Sequence, residues 1–214
     1  MINFKKSVRF LIFHSSNKKK DTKFLLERSN LMDNGANSYR RFLDGDDNGF
    51  VEIIKEYKDG LIFYINGFVD NIHIAEELTE DTFVKIVIKK PVFSGKSSFK
   101  TWLYAIGRNV AIDYLRRHYH QTLSLDDYQK LTQDEESLES YIKEERKIIV
   151  HKALMQLKPE YRQVLWLTYF ENFSNKEVAV VMKKSVHNIE TLVYRARLAL
   201  KSELDKEGFV YEEL

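Results

Sequence analysis

Residues 174–200 read SNKEVAVVMKKSVHNIETLVYRARLAL, and this stretch decides the fold of the second half of the chain. Ser174-Asn175-Lys176-Glu177 has the form of a capping box. The Ser174 hydroxyl is placed to accept from the Glu177 backbone N–H while the Glu177 carboxylate reaches back, opening a short helix through Met182. Lys183-Lys184-Ser185 supplies a turn, and Ser185 caps a second helix with Ile189, Val193, Ala196 and Leu200 on one apolar line. Asn188, Glu190, Thr191, Tyr194, Arg195 and Arg197 are left on or near the other faces. Two short helices about a tight turn form a helix-turn-helix, whose second helix is the one placed in a DNA major groove. An ordinary helical hairpin is the plain alternative.

Working upstream, Leu154 and Leu157 precede Pro159, which suits the first turn of a helix carrying Tyr161, Val164, Leu165 and Thr168. Residues 119–137 lose apolar periodicity and gain acid, as a linker does. Before them, Phe50, Ile53, Ile54 and Tyr57 recur at helical spacing. Leu61-Ile62-Phe63-Tyr64-Ile65 with Phe68 and Val69 is apolar on most sides, like a helix central to a bundle. A third helix is expected over about residues 74–89, with Glu76-Glu77 at its start and Lys85, Lys89 and Lys90 at its end, stopped by Pro91. Ser97 or Ser98 caps a long helix with Leu103, Ile106 and Val110 in line.

Composition agrees with this all-helical reading. Two prolines and eight glycines in 214 residues leave little material for the turns of a β fold. The absence of cysteine excludes disulfides and thiolate metal sites, and fits a reducing cytoplasm. The apolar stretch at residues 10–13 is too short for a signal-peptide core or a membrane span. The net charge of +2 conceals a division. Residues 85–117 carry eight basic residues against Asp113 alone, residues 126–147 carry eight acids against four bases, and residues 176–201 carry six bases against two acids. Two basic blocks about an acidic spacer suit a protein that meets polyanion at two places, although one block alone is equally a solvated face.

Residues 93–104, from Phe93 to Tyr104, interleave aromatics with Lys and Ser. Rings stack on any unpaired base while hydroxyls and ammonium groups hold its edges and phosphates. A Trp and a Phe near a helix start are, without context, more often core. In residues 75–83, Glu76, Glu77, Glu80 and Asp81 are four carboxylates in six positions. Consecutive helical positions spread around the axis, so these suit a protein-docking face better than a metal site.

These segments, with residues 97–117 and 157–164, resemble in order the extracytoplasmic-function class of sigma factors, in the sigma-70 family. The resemblance covers residues 40–204 apart from the linker. It implies an all-α protein of two small helical domains joined by a flexible acidic linker: a basic arm (1–37), a region 2 domain (38–118), the linker (119–137), a region 4 domain (138–206) and a tail (207–214). It further implies that Glu76, Glu77, Glu80 and Asp81 dock on the clamp of the RNA polymerase largest subunit. The family usually has Gln where Glu80 stands, so this contact is retuned. Lys96, Ser97, Ser98, Phe99, Lys100, Thr101 and Trp102 fall where a flipped base of the minus-ten element is captured. Arg108, Asn109, Asp113, Arg116 and Arg117 fall on the helix at that element's upstream edge. Ser185, Val186, His187, Asn188, Glu190, Thr191, Tyr194, Arg195 and Arg197 fall on the helix that reads the minus-thirty-five element, and the helices before it dock on the polymerase flap. Lys183 in place of the usual turn glycine, and Glu190 and Leu192 in place of basic or polar residues, are departures that shift base reading toward Asn188, Arg195, Arg197 and DNA shape.

The expected function is direction of core polymerase to promoters and assistance in melting them, with no catalysis, no cofactor and no metal, and with an anti-sigma factor as a further partner. A stand-alone helix-turn-helix regulator is the alternative, and it leaves the Trp/Phe/Lys/Ser segment without a reason. A metal-dependent nuclease built on the acidic cluster is a remoter one. Residues 1–31 show no sustained helical period, and Glu27-Arg28-Ser29 is encodable by a purine-rich string like a ribosome-binding site a few codons before Met32. Met32 is therefore read as the start of the native protein. Mass spectrometry of that protein is expected to yield no peptide from residues 1–31, and one such peptide overturns the reading.

Overall fold

The computed structural model describes residues 33–122 and 145–209. The described residues are helical, in the order α1 (Asn34–Leu43), α2 (Asp47–Val69), α3 (Ile72–Lys89), α4 (Phe99–Thr122), α5 (Glu145–Met155), α6 (Pro159–Leu165), a π-helical turn (Trp166–Phe170), α7 (Asn175–Met182) and α8 (Val186–Lys206). The first four helices form one bundle about α2, and the later helices pack about α8. Of the arm expected over 1–37, residues 33–37 instead open α1, because Asp33 caps that helix, so the first domain begins before residue 38. Residues 1–32 with the proposed start, most of the linker and the end of the tail lie outside the described residues.

The apolar stretches at 50–57 and 61–69 join into the single 23-residue helix α2. Gly60 and Gly67 lie inside it, where glycine costs roughly 1 kcal/mol relative to alanine, and at Gly60 close packing explains the choice. A Cβ there would collide with the Glu171 carboxylate and the Tyr104 hydroxyl. Leu61, Ile62, Tyr64 and Ile65 are all buried, as an apolar circumference requires. Helix α3 begins earlier than residue 74 because Asn71 caps it, accepting from the Ile74 N–H at 3.0 Å. Thr79 and Thr82, fully buried, donate to the carbonyls of Ala75 (2.7 Å) and Leu78 (2.8 Å), so neither hydroxyl is stranded. Helix α4 continues to Thr122, four residues past the expected boundary at 118.

Asp33 holds two helices at once. One carboxylate oxygen accepts from the Ala36 N–H at 3.2 Å to cap α1, and the other accepts from the Phe99 N–H at 2.6 Å at the start of α4. In the second half the expected caps are present: the capping box of Ser174 and Glu177 opens α7, Lys183 turns the chain at φ 55°, and Ser185 accepts from the Asn188 N–H at 3.2 Å to open α8. The π-helical turn after α6 was not legible beforehand. Its Trp166 and Phe170 rings stack at 4.5 Å, and Phe173 follows, buried, behind Asn172 in the left-handed region.

The two halves share one continuous core. Helix α7 packs on α4, and α6 with the π-helical turn packs on α2. Trp166 donates its indole N–H to the Gly60 carbonyl at 3.2 Å, and buried Arg162 pairs with Asp70 at 3.0 Å. His151 of α5 meets the Phe63 ring at 6.0 Å, with no hydrogen-bond partner on Nδ1. Burial, and then the Arg162 charge, push its imidazole down to about 4.

Two outcomes follow. Asp33→Ala removes both acceptors and should lower unfolding stability by about 1–2 kcal/mol in urea titration. The unfolded chain binds the His151 proton near the ordinary value of 6.5, so the stability tied to the neutral ring is complete above that pH and is lost as pH falls toward 4. By about pH 5 the loss is on the order of 2 kcal/mol. The drop in the urea midpoint between about pH 7.5 and about pH 5 should therefore be smaller in His151→Leu than in the parent.

Candidate nucleic-acid interface

The site at the start of α4 is built on an aromatic cluster. Phe99 is fully buried and anchors it, with ring centroids 5.5 Å from Tyr39, 5.7 Å from Phe93 and 5.3 Å from Trp102. Trp102 is half-buried and lies 5.4 Å from the half-buried Phe93, so these two rings, rather than Phe99, reach solvent. Beside them is a loop with Gly95 at φ 69° and with Ser94 and Lys96 exposed. Ser97 is half-buried; Ser98 accepts from the Thr101 N–H at 3.2 Å and so caps α4.

The remaining candidates along α4 divide between solvent and the second half. Asp113, Arg116 and Arg117 are exposed; Arg116 and Asp113 lie 3.6 Å apart, and Arg117 donates to the Asp113 carbonyl at 3.3 Å. Arg108 is half-buried, its Nε without a partner. Ser98, Lys100, Thr101 and Asn109 face the second half. Ser98 and Thr101 donate to Glu177 at 3.1 and 3.2 Å, and Lys100 pairs with Glu171 at 2.6 Å. Asn109 accepts from Lys183 at 3.1 Å.

Burial pushes the Glu177 carboxyl up, but hydrogen bonds from Ser174, Ser98 and Thr101 outweigh it and hold the group below the usual carboxylate range. Burial, and then the Glu171 charge, push the Tyr104 hydroxyl well above its ordinary value, so it stays protonated. Sequence reasoning found the capping role of Glu177 but not its second set of partners, and it did not find Glu171 at all. Nothing local marks that residue; only the packed halves bring it to Lys100.

On α3, Glu77, Glu80 and Asp81 are exposed together, and exposed Val84 and Ile88 continue the same helical line. Glu76 is half-buried, 3.5 Å from His73. Among the described residues no three acidic or His side chains converge as a metal site requires. The outcome is an acidic face edged with apolar side chains.

On α8, Ser185, Val186, His187, Asn188, Glu190, Tyr194 and Arg195 are exposed along the outer surface. Thr191 is half-buried and bonds the His187 carbonyl at 3.2 Å. Arg197 is half-buried beside Tyr169, whose hydroxyl burial pushes up and Arg197 pulls back down. Ile189, Ala196 and Leu200 are buried and fix the helix to its support, while Val193 is half-buried. No helix among the described residues is long and apolar enough to cross a membrane.

Comparison with known proteins matches residues 53–121 to sigma-70 region 2 and residues 147–200 to sigma-70 region 4. RNA polymerase sigma factor YlaC of Bacillus subtilis is 30% identical over 161 residues, covering 72% of this chain and 91% of that protein. The ECF RNA polymerase sigma factor SigW of the same organism is 25% identical over 170 residues, covering 75% and 91%. Among solved structures, the sigma factor RpoE in complex with the anti-sigma factor NepR from Bartonella quintana superposes with a TM-score of 0.59 at 22% identity, covering 73% of this chain and 96% of that one. CnrH in complex with the cytosolic domain of CnrY does so with 0.55 at 22%, covering 81% and 96%. The first match to a relative, over most of both chains, establishes the family: this chain belongs to the extracytoplasmic-function class of sigma-70 family RNA polymerase sigma factors, which are non-enzymatic initiation subunits.

Proposed function

We propose that this chain directs core RNA polymerase to its promoters through three surfaces that divide the labour, working in the cytoplasm. The acidic face of α3, with Glu77, Glu80, Asp81 and the flanking Val84 and Ile88, docks on the polymerase clamp. The exposed row on α8 reads the minus-thirty-five element in the major groove. The start of α4 holds the melted minus-ten strand, with Phe93 and Trp102 as the stacking rings and Lys96, Ser98, Lys100 and Thr101 on its backbone and base edges. The carrying observation is that the half-buried Trp102 and Phe93 stand beside an exposed Lys/Ser/Gly loop in the same chain as an exposed helix-turn-helix.

Each DNA contact is weak alone. Polymerase bound to both domains makes the second contact intramolecular, and two weak sites then act as one strong one. Melting is driven by trapping unpaired bases, which offsets an unstacking cost of a few kcal/mol per flipped base. RNA synthesis belongs to the polymerase. An anti-sigma factor fits as the partner that withholds these surfaces, by analogy with the complex of RpoE and the anti-sigma factor NepR described above.

The test is run-off transcription on genomic fragments with purified core polymerase, beside a gel shift without it. Transcripts that need both proteins, without tight duplex binding by this chain alone, support the reading. A tight shift and no new transcript supports a stand-alone regulator instead. Trp102→Ala should lower open-complex formation, read by permanganate reactivity, by roughly 5- to 100-fold, as expected for one lost stacking contact, while binding to core holds. Glu77→Lys with Asp81→Lys should weaken core binding itself by roughly tenfold or more. Equal loss of both activities in both variants overturns the division of labour.

A further inference from the structure

Three of the four donors assigned to the melted strand, Ser98, Lys100 and Thr101, are already occupied. Lys100 Nζ lies 2.6 Å from Glu171 Oε2 and 3.0 Å from the Glu171 carbonyl, over the rings of Tyr104 and Phe173. The Ser98 and Thr101 hydroxyls both donate to Glu177 Oε1. The other Glu177 oxygen serves the Ser174 capping box, accepting from its N–H at 2.9 Å and its hydroxyl at 2.7 Å. One ammonium and two hydroxyls thus converge on two carboxylates from the other half of the chain.

We propose that Glu171 and Glu177 are an internal stand-in for the DNA backbone, closing the strand site at the start of α4 until the second half swings away. This rests on the strand-binding role given to Lys100, Ser98 and Thr101 above. A carboxylate and a phosphodiester present the same chemistry to these donors: anionic oxygens that accept charge-assisted hydrogen bonds. Occupation by one excludes the other.

Three further features belong to the same device. Gly60 lacks the Cβ that would displace the Glu171 carboxylate, so α2 is shaped to receive it. Lys183, at the helix-turn-helix turn, spends its ammonium on Asn109, which ties a DNA-binding element of one half to a DNA-binding helix of the other. Glu171 is buried at 6% exposure, so its charge depends on Lys100 for compensation. A buried ion pair gains little net stability over separated, hydrated partners. Such a seam specifies the closed arrangement yet opens when a competing partner takes either side.

The exposed surfaces set the order of events. In the closed chain the clamp face (Glu77, Glu80, Asp81) and the outer row of α8 are open to solvent, while Ser98, Lys100, Thr101 and Asn109 are not free. Polymerase therefore docks first and single strand enters last. A free factor does not sequester single-stranded DNA.

The experiment uses the absence of cysteine. Lys55→Cys on α2 and Ser202→Cys on α8, both exposed positions, are labelled as a donor and acceptor pair in the full chain. Energy transfer is compared in the parent, in Glu171→Lys, which sets two ammonium groups against each other, and in Gly67→Leu. The last leaves both carboxylates intact but inserts a side chain where a Cβ already meets Arg162 and Gln163 at 3.7 Å. Circular dichroism checks that each variant stays helical.

High transfer is expected in the parent, with loss of most of it in both variants. Retention of a labelled single-stranded oligonucleotide should rise at least roughly tenfold in both, because apparent affinity scales with the open fraction. Gly67→Leu carries no added charge, so its gain is not simple attraction. Low transfer in the parent, unchanged transfer in both helical variants, or opened variants that retain the oligonucleotide no better would each overturn the proposal. Failure of the sigma reading is seen separately, as a parent protein that yields no transcript with core polymerase.

Discussion

The second half of helix α2, residues 60–69, presents apolar side chains on most of its sides, and the need to bury them shapes much of the rest. Helices α1, α3 and α4 cover most of its length. The strip running through Gly60, Phe63 and Gly67 is left over, and it is closed by α6 and the π-helical turn of the other half. Phe63 lies 5.1 Å from the Trp166 ring, and the Trp166 indole N–H is satisfied by the Gly60 carbonyl. The two halves, which match sigma-70 regions 2 and 4, are thereby drawn together by an ordinary hydrophobic requirement.

The interface is not built like a core throughout. At its α2 side it is largely aromatic, with Phe63 against Trp166, while at its α4 side it consists of Lys100, Glu171, Glu177, Ser98 and Thr101. Apolar contact holds the halves near each other without specifying much. Hydrogen bonds to charged groups set the register, because each leaves a stranded buried group if the halves slide. Arg162 and Asp70 do the same at the opposite edge, beside the neutral His151.

Much of this was legible in the sequence because it is local. Ser174, Glu177 and Ser185 act within four residues of themselves, so the helix-turn-helix and its caps could be read from spacing alone. The apolar lines of α4 and α8 were legible for the same reason. What escaped reading was of two kinds. The stretches at 50–57 and 61–69 read separately, and the reason for the Gly60 between them, the Glu171 carboxylate, lies far along the chain. Lys100 read as a cation for phosphate and Lys183 as a turn residue, and nothing in their neighbours discloses that each has a partner more than 70 residues away. The π-helical turn leaves an apolar pattern much like that of an α-helix and so gave no warning.

Lys183 occupies a left-handed backbone conformation that glycine takes without strain and other residues adopt at a penalty on the order of 1 kcal/mol. The strain persists beside an ammonium that reaches across to Asn109. A laboratory selection for heat resistance would meet this residue as an easy gain, since glycine there relaxes the turn. The same exchange would cut a tie between the halves. Thermal robustness and the closed arrangement of the two halves thus pull against each other at one position, and survivors of such a selection would be enriched in chains whose halves part more readily.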